Sequence, residues 1–150
     1  MKTPHKTLIL GIGNLLMGDE GVGVAAIRRL EQNGLEGEAD LLDGGTGGFH
    51  LLEAFQNHER LILVDAAADG KPPGTVSVIR PRFASDYPPA LTAHDIGLKD
   101  LIESAALLGK TPQVDLITIS IGDLSEMTLQ LSQSVEAALP EVERRVRECL

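Results

Sequence analysis

The sequence predicts an α/β domain with a three-layer architecture: a twisted, mostly parallel five-stranded sheet with one antiparallel edge strand and helices on both faces. Strand-like apolar segments alternate with amphipathic helical patterns along the chain, without repeats, low-complexity tracts or linkers. The apolar residues are mainly Leu, Val, Ile and Ala, with three Phe, one Tyr and no Trp. Such a composition suits a buried parallel sheet covered by helices. A chain of 150 residues fits one domain over 1–150.

The first half of the chain contains three predicted strands and two helices. Thr7–Gly11, Glu38–Asp43 and Arg60–Asp65 are apolar segments of strand length, and the third contains four consecutive aliphatic residues. Between the first two strands, Glu20–Gln32 has a helical pattern of apolar residues on its inner face. A short helix is predicted near Phe49–Phe55.

The second half completes the sheet. Gly74–Ile79 is a short β-branched segment at the end of a Lys-Pro-Pro-Gly turn. It lies so close in sequence to the third strand that we expect it to run antiparallel at an edge of the sheet. A helix is predicted from Thr92, as its N-cap, to Leu108, and Val114–Ser120 is the last strand. The last helix starts near Ser132. Its apolar spacing continues through Pro140, which predicts one kinked helix.

Charge and composition exclude several classes of partner. The net charge of −9 disfavours nucleic acid and anionic membrane surfaces, and no apolar run approaches the roughly 20 residues of a membrane span. The N-terminal segment lacks a signal-peptide pattern, and a single cysteine, Cys149, fits a reducing compartment. We therefore expect a cytoplasmic protein, and we expect it to be a monomer.

The glycine-rich run Gly11–Gly23 lies between the first strand and the first helix, where α/β proteins often bind phosphate. The spacing from Gly13 to Gly18 is that of the first half of a P-loop, but Asp19 and Glu20 stand where Lys and Ser/Thr are needed. Two carboxylates at a helix start repel a phosphate. The loop therefore predicts a bound cation and argues against a nucleotide cofactor.

Further polar residues follow other predicted strands. Asp65 closes a strand and His94 opens a helix, so the carboxyl edge of the sheet could bring Glu20, Asp65 and His94 together. Two carboxylates and one imidazole suit zinc, nickel, cobalt or iron. Structural readings remain open for each: Asp19 could cap the first helix, Glu20 could complement its dipole, Asp65 could end its strand and His94 could be an ordinary first-turn residue.

The segment Asp43-Gly44-Gly45-Thr46-Gly47-Gly48 is richer in glycine than a connecting turn requires. A loop with so few side chains lets another backbone approach closely. We therefore expect it to face a peptide substrate, although a plain strand-to-helix turn is the alternative. Ser85, Ser104 and Ser120 stand in unremarkable contexts, and no Ser-His-Asp or Cys-His arrangement indicates a nucleophile.

Taken together, these motifs resemble the nickel–iron hydrogenase maturation proteases, which trim the C-terminus of the hydrogenase large-subunit precursor. The resemblance spans the chain in order. The matching segments are Gly11–Asn14, Asp19–Gly23, Asp43–Thr46, Val64–Ala66 and His94–Leu98. Two positions depart from the family pattern, and they bear on the identity of the partner hydrogenase: Asp95, where Gln is common, and the Gly122–Ser125 turn.

The resemblance implies an endopeptidase whose substrate is the large-subunit precursor. Glu20, Asp65 and His94 occupy the family's metal-binding positions and are the expected catalytic site. Asp43, Gly44, Gly45 and Thr46 are expected to bind substrate. The metal is expected to be nickel carried by the precursor. In one alternative the metal polarises the scissile carbonyl or lowers the pKa of the attacking water. In the other, nickel only positions the tail of the precursor, and Asp19 or Asp43 acts as the base.

Two other functions remain open at this point. One is a nickel-checkpoint or chaperone module that binds the same precursor without cutting it. The other is a small nucleotide-binding domain, which would need a basic phosphate contact that the glycine loop lacks.

Overall fold

A five-stranded sheet runs through the middle of this computed structural model, which describes residues 6–45, 49–93, 98–109, 111–122 and 127–150. The strands lie in the order β2-β1-β3-β5-β4. All neighbouring pairs are parallel except β4–β5, so β4 is the antiparallel edge strand that the sequence predicts. The strand bounds are β1 Thr7–Ile12, β2 Asp40–Gly45, β3 Arg60–Ala67, β4 Val76–Ile79 and β5 Gln113–Ser120.

Helices cover both faces of the sheet and give it three layers. One buried cluster joins one face of the sheet to α1 and α4, and a second joins the opposite face to α2 and α3. This arrangement confirms the predicted fold class. The helix bounds are α1 Val22–Gln32, α2 Phe49–Gln56, α3 Leu98–Leu107 and α4 Gln133–Cys149.

The alternation of side chains along β3 decides which face each of its residues serves. Ile62 and Val64 pack into the cluster beneath α1 and α4, whereas Leu61 and Leu63 pack into the cluster beneath α2 and α3. Since successive side chains of a strand point to opposite faces, Asp65 follows Leu63 and points to the α2/α3 face. This polar residue therefore lies at the carboxyl end of a central strand.

The start of the first helix differs from the prediction. A 3-10 turn spans Gly18–Gly21, and the α-helix begins at Val22 rather than at Glu20. The loop is tightly closed, since a Cβ on Gly13, whose φ is +147°, would lie only 2.1 Å from the Glu20 carbonyl oxygen. The Glu20 amide donates to Met17 O, three residues back, at 3.2 Å, which is the hydrogen-bond spacing of a 3-10 turn.

The last helix continues through its proline, as predicted. Ser132 is at the N-cap position, and α4 extends without interruption past Pro140 to Cys149. Its buried residues include Val135, Val142 and others that pack against the same cluster as α1. Within the described parts of the chain, no helix has the length and apolar character needed to cross a membrane.

Candidate functional site

The loop between β1 and α1 brings Glu20 to the carboxyl edge of the sheet. Its 3-10 turn contacts β3, and α1 follows it closely onto the sheet. A Cβ on Gly23 would lie 2.4 Å from the carbonyl oxygens of both Ile12 and Val64, so only glycine allows this approach. Glu20 is half-buried at the end of this turn. It therefore lies at the same end of the sheet as Asp65, which directly follows Val64.

Asp65 is a buried carboxylate with donors on both of its oxygens. Its exposed fraction is 1 %. The Thr92 hydroxyl donates to Oδ1, and the Ala93 amide donates to Oδ2 at 2.8 Å. These hydrogen bonds compensate for removing the carboxylate from water. Asp65 is thus held to a chain segment that immediately precedes His94.

His94 itself, with residues 95–97, lies outside the described residues. The predicted meeting of Glu20, Asp65 and His94 therefore stays a prediction. Among the residues that are described, no group of three His, Cys, Asp or Glu side chains is arranged to hold a metal ion. The helix predicted over Thr92–Leu108 is described as α3 over Leu98–Leu107, so Thr92 is not its N-cap residue. The structure instead places the Thr92 hydroxyl against Asp65.

The expected substrate loop begins inside β2. The strand was predicted to end at Asp43, but it extends through Gly44 to Gly45. Asp43 pairs with Gly11 and Gly45 pairs with Ile12, so the register shifts at Gly44 as in a β-bulge. Glycine tolerates this irregularity because it has no side chain to reposition. Thr46 lies outside the described residues.

Asp43 is exposed at this end of β2, beside the loop that carries Glu20. The carboxyl ends of β1, β2 and β3 therefore bring Glu20, Asp43 and Asp65 to one edge, as the strand pattern predicts. In parallel α/β sheets this edge is where ligands bind.

Asp19 does not cap the first helix. Neither the 3-10 turn nor α1 has a side-chain cap hydrogen bond. Asp19 Oδ1 instead accepts a hydrogen bond of 2.7 Å from the backbone amide of Ser132, the N-cap residue of α4. The interpretation of Asp19 as the cap of the first helix was therefore wrong. The two residues are 113 positions apart, so no local pattern could have indicated the contact.

Two further hydroxyls lie on the sheet face that carries Asp65. Thr118 stands opposite Asp65 and Ser120 stands opposite Ala67 in the β3–β5 register. Both are buried, and Ser120 Oγ has no hydrogen-bond partner in the part of the chain that the structure describes. Ser120 ends the predicted strand Val114–Ser120, but no local pattern indicated that its hydroxyl would be buried.

Exposed apolar side chains lie beside the Glu20 loop. A parallel bridge pairs Met17 with Thr128, and the Gly18 amide donates to Thr128 O at 2.8 Å. Leu16, Met127 and Leu129 flank this bridge and are 57 %, 83 % and 73 % exposed. We refer to these three side chains as the apolar rim. Exposed apolar groups of this kind are typical of surfaces that contact other proteins.

The family model described as hydrogenase maturation protease (HycI) matches residues 24–148 of this chain. The hydrogenase expression/formation protein HupD of Rhodobacter capsulatus is 39 % identical over 112 residues, covering 73 % of this chain and 53 % of HupD. The HupD of Thiocapsa roseopersicina is similar, with 36 % identity over 75 % of this chain and 52 % of its own length. The chain thus spans about half the length of these curated relatives.

Other relatives are covered almost completely. The hydrogenase 2 maturation protease of Escherichia coli K12 is 32 % identical over 150 residues, covering 95 % of this chain and 92 % of that protein. The structure of the maturating endopeptidase HybD from E. coli superposes with a TM-score of 0.79 at 30 % identity, over 97 % of this chain and 94 % of HybD. HybD from Thermococcus kodakarensis also superposes with a TM-score of 0.79, at 25 % identity over 97 % of this chain and 99 % of that HybD. The chain belongs to the hydrogenase maturation protease family.

Proposed function

We propose that this protein is an endopeptidase that removes the C-terminal extension of a nickel–iron hydrogenase large-subunit precursor after nickel insertion. The observation that carries the proposal is the buried Asp65, which lies at the same sheet edge as Glu20. Asp65 accepts hydrogen bonds from Thr92 and Ala93, the two residues just before His94. Family membership supports the reaction class. The names of the relatives support a hydrogenase as the source of the substrate.

We assign nickel recognition to Glu20, Asp65 and His94, with the nickel presented by the precursor as part of the substrate. Two carboxylates and an imidazole form a mixed oxygen and nitrogen donor set that suits nickel or zinc better than magnesium. Each carboxylate oxygen has two lone pairs, so the two hydrogen bonds that Asp65 accepts are compatible with metal ligation. No nucleotide cofactor is part of the proposal.

A divalent ion at this edge would supply polarisation of the scissile carbonyl or a lower pKa of the attacking water. The chain's own residues would orient the peptide and accept the proton. Of the two carboxylates considered as the base, Asp19 has Oδ1 turned towards the Ser132 amide. Asp43 is exposed at the end of β2, in the segment expected to contact the substrate, and on this placement we assign the base to Asp43.

The substrate in this proposal is a folded protein with an extended tail. The end of β2, with Asp43, Gly44, Gly45 and Thr46, would contact the tail. The apolar rim lies on the Glu20 loop and on the segment before α4, and it would contact the body of the precursor. We place the protein in the cytoplasm, since its single cysteine fits a reducing compartment, and we propose that it acts as a monomer.

The test is cleavage of purified large-subunit precursors in nickel-loaded and nickel-free form, read by the mass of the large subunit. The nickel-loaded precursor should be trimmed and the nickel-free precursor should stay intact. Glu20→Gln and Asp65→Asn should each reduce trimming by at least ~100-fold, because both remove a charged metal ligand. The matched control is Glu36→Gln, which neutralises an exposed acid in the turn after α1 and should cut normally.

If nickel-loaded precursors of every hydrogenase in the source organism remain uncut, the proteolytic function is wrong. Nickel-dependent binding without cleavage would instead support the checkpoint module. Trimming that is unaffected by both Glu20→Gln and Asp65→Asn would contradict the assigned site.

A further inference from the structure

The segment before His94 is fixed to the end of β3 at several successive points. The Ala68 amide donates to Ala90 O at 3.1 Å, and an antiparallel bridge pairs Ala67 with Leu91. The Thr92 hydroxyl and the Ala93 amide then reach back to Asp65. The segment therefore runs along the extension of β3 and ends on the candidate ligand.

The two donors engage different oxygens of the Asp65 carboxylate. Rotation about the last side-chain bond of an aspartate is loosely restricted on its own, and one donor on each oxygen fixes the plane of the group. The Ala93 donor is a backbone amide and every residue type except proline would provide it. The Thr92 donor depends on the side chain, so Thr92 is the position at which sequence controls this orientation.

We propose that Thr92 is a positioning residue of the metal site. Its hydroxyl donates to Asp65 Oδ1 and sets the orientation of this assigned ligand. The inference rests on the metal assignment made under the proposed function. Hydrogen-bond partners of metal ligands fix ligand orientation in this way, and their removal typically lowers metal affinity about 10- to 100-fold.

A purely structural role for Thr92 makes a different prediction. In that case loss of the hydroxyl would lower stability without changing metal affinity in the folded protein. The two roles are separated by measuring both quantities on the same variants. Thr92 is half-buried and Ala93 is buried, so a β-branched side chain of similar volume should fit at position 92.

The experiment compares Thr92→Val, which keeps the shape and removes the donor, with Thr92→Ser, which keeps the donor. The affinities of the whole protein for Ni²⁺ and Cd²⁺ are measured by competition with a chromophoric chelator. Thr92→Val should bind about 10- to 100-fold more weakly, and Thr92→Ser should stay within about threefold of the wild type. The matched control is Thr75→Val, whose hydroxyl donates to the Pro72 carbonyl and should leave affinity unchanged.

Thermal unfolding of the metal-free variants establishes that each one is folded. If Thr92→Val does not fold, Thr92→Ala removes the same donor with a smaller side chain. Wild-type affinity in the folded donor-free variant, together with weakened binding in Asp65→Asn, overturns the role of Thr92 and leaves the metal site standing. A wild-type protein that binds neither ion, or an Asp65→Asn variant that binds as the wild type, overturns the metal assignment and the role of Thr92 with it. Precursor trimming, measured in parallel, reports on the proteolytic function separately.

Discussion

Asp19 Oδ1 accepts a hydrogen bond of 2.7 Å from the backbone amide of Ser132. This contact joins the glycine-rich loop to the start of α4, next to the bridge between Met17 and Thr128. Of the two adjacent acids in the loop, Asp19 thus has a structural role, since it holds the loop to the start of α4. Glu20 follows it at the sheet edge where we place the metal.

The two acids should therefore respond differently to substitution. Asp19→Ala removes the acceptor and should lower the free energy of unfolding by about 1–2 kcal/mol, with Ni²⁺ affinity unchanged in the folded protein. Asp19→Asn keeps an acceptor oxygen and should recover most of that stability. Chemical denaturation and metal titration measure the two effects. Weakened Ni²⁺ binding in a stably folded Asp19→Ala would contradict the division of roles.

Gly23→Ala should destabilise the protein although alanine favours helices. The new Cβ would lie 2.4 Å from the carbonyl oxygens of Ile12 and Val64, so α1 would have to move away from the sheet. We expect a loss of about 1–3 kcal/mol by denaturant unfolding, as for other overpacked cores.

The matched control is Gly37→Ala. Its Cβ would meet no heavy atom within 4 Å, and its φ is not positive. We expect its stability to be unchanged or to rise by less than about 1 kcal/mol. Equal changes in the free energy of unfolding for Gly23→Ala and Gly37→Ala would show that α1 has room for a Cβ against β1 and β3, and would contradict the prediction.

Ser120→Ala should stabilise the protein. The buried Ser120 hydroxyl has no hydrogen-bond partner among the described residues, and an unsatisfied buried group costs free energy. Its removal should raise the free energy of unfolding by about 1 kcal/mol. Ser77→Ala on the half-buried neighbouring strand is the control and should change stability by less than about 0.5 kcal/mol. A clear loss of stability in Ser120→Ala would mean that the hydroxyl has a partner in the folded protein.

Glu143 should contribute to unfolding in acid. Burial raises the pKa of its carboxyl, but hydrogen bonds from Asn33, Arg147 and Arg29 outweigh this and hold the pKa below its usual value. A group with a lowered pKa stabilises the fold above its unfolded pKa, and this contribution is lost as pH falls through the folded value. Stability should therefore decline below about pH 5, starting near the ordinary pKa of glutamate.

Glu143→Gln should lower stability at pH 7 by about 1–2 kcal/mol and make the decline below about pH 5 shallower. Urea unfolding at a series of pH values measures both effects. Glu38→Gln makes the same charge change at an exposed position between α1 and β2 and should leave the acid profile unchanged. An identical acid slope in Glu143→Gln and the wild type would contradict the assignment.

The local pattern predicted the elements that depend on neighbouring residues. The four consecutive aliphatic residues of β3 indicate a strand that is buried on both faces, and the apolar spacing of α4 through Pro140 indicates one helix with a single buried face. The antiparallel edge position of β4 followed from a connection too short for a crossover helix. The errors in the elements concerned boundaries, such as the start of α1 at Val22 and the end of β2 at Gly45, whereas the capping role considered for Asp19 was wrong.

The sequence by itself determined the sheet, its layers and the carboxyl edge at which Glu20, Asp43 and Asp65 gather, since periodicity and strand order encode these. Only the tertiary structure decided which groups hold these residues in place. Thr92 reaches Asp65 from 27 positions away and Ser132 reaches Asp19 from 113 positions away. Such partners are chosen by the packing of whole elements, because a hydrogen bond between distant residues depends on where the fold brings their backbones and leaves no periodic trace in the chain.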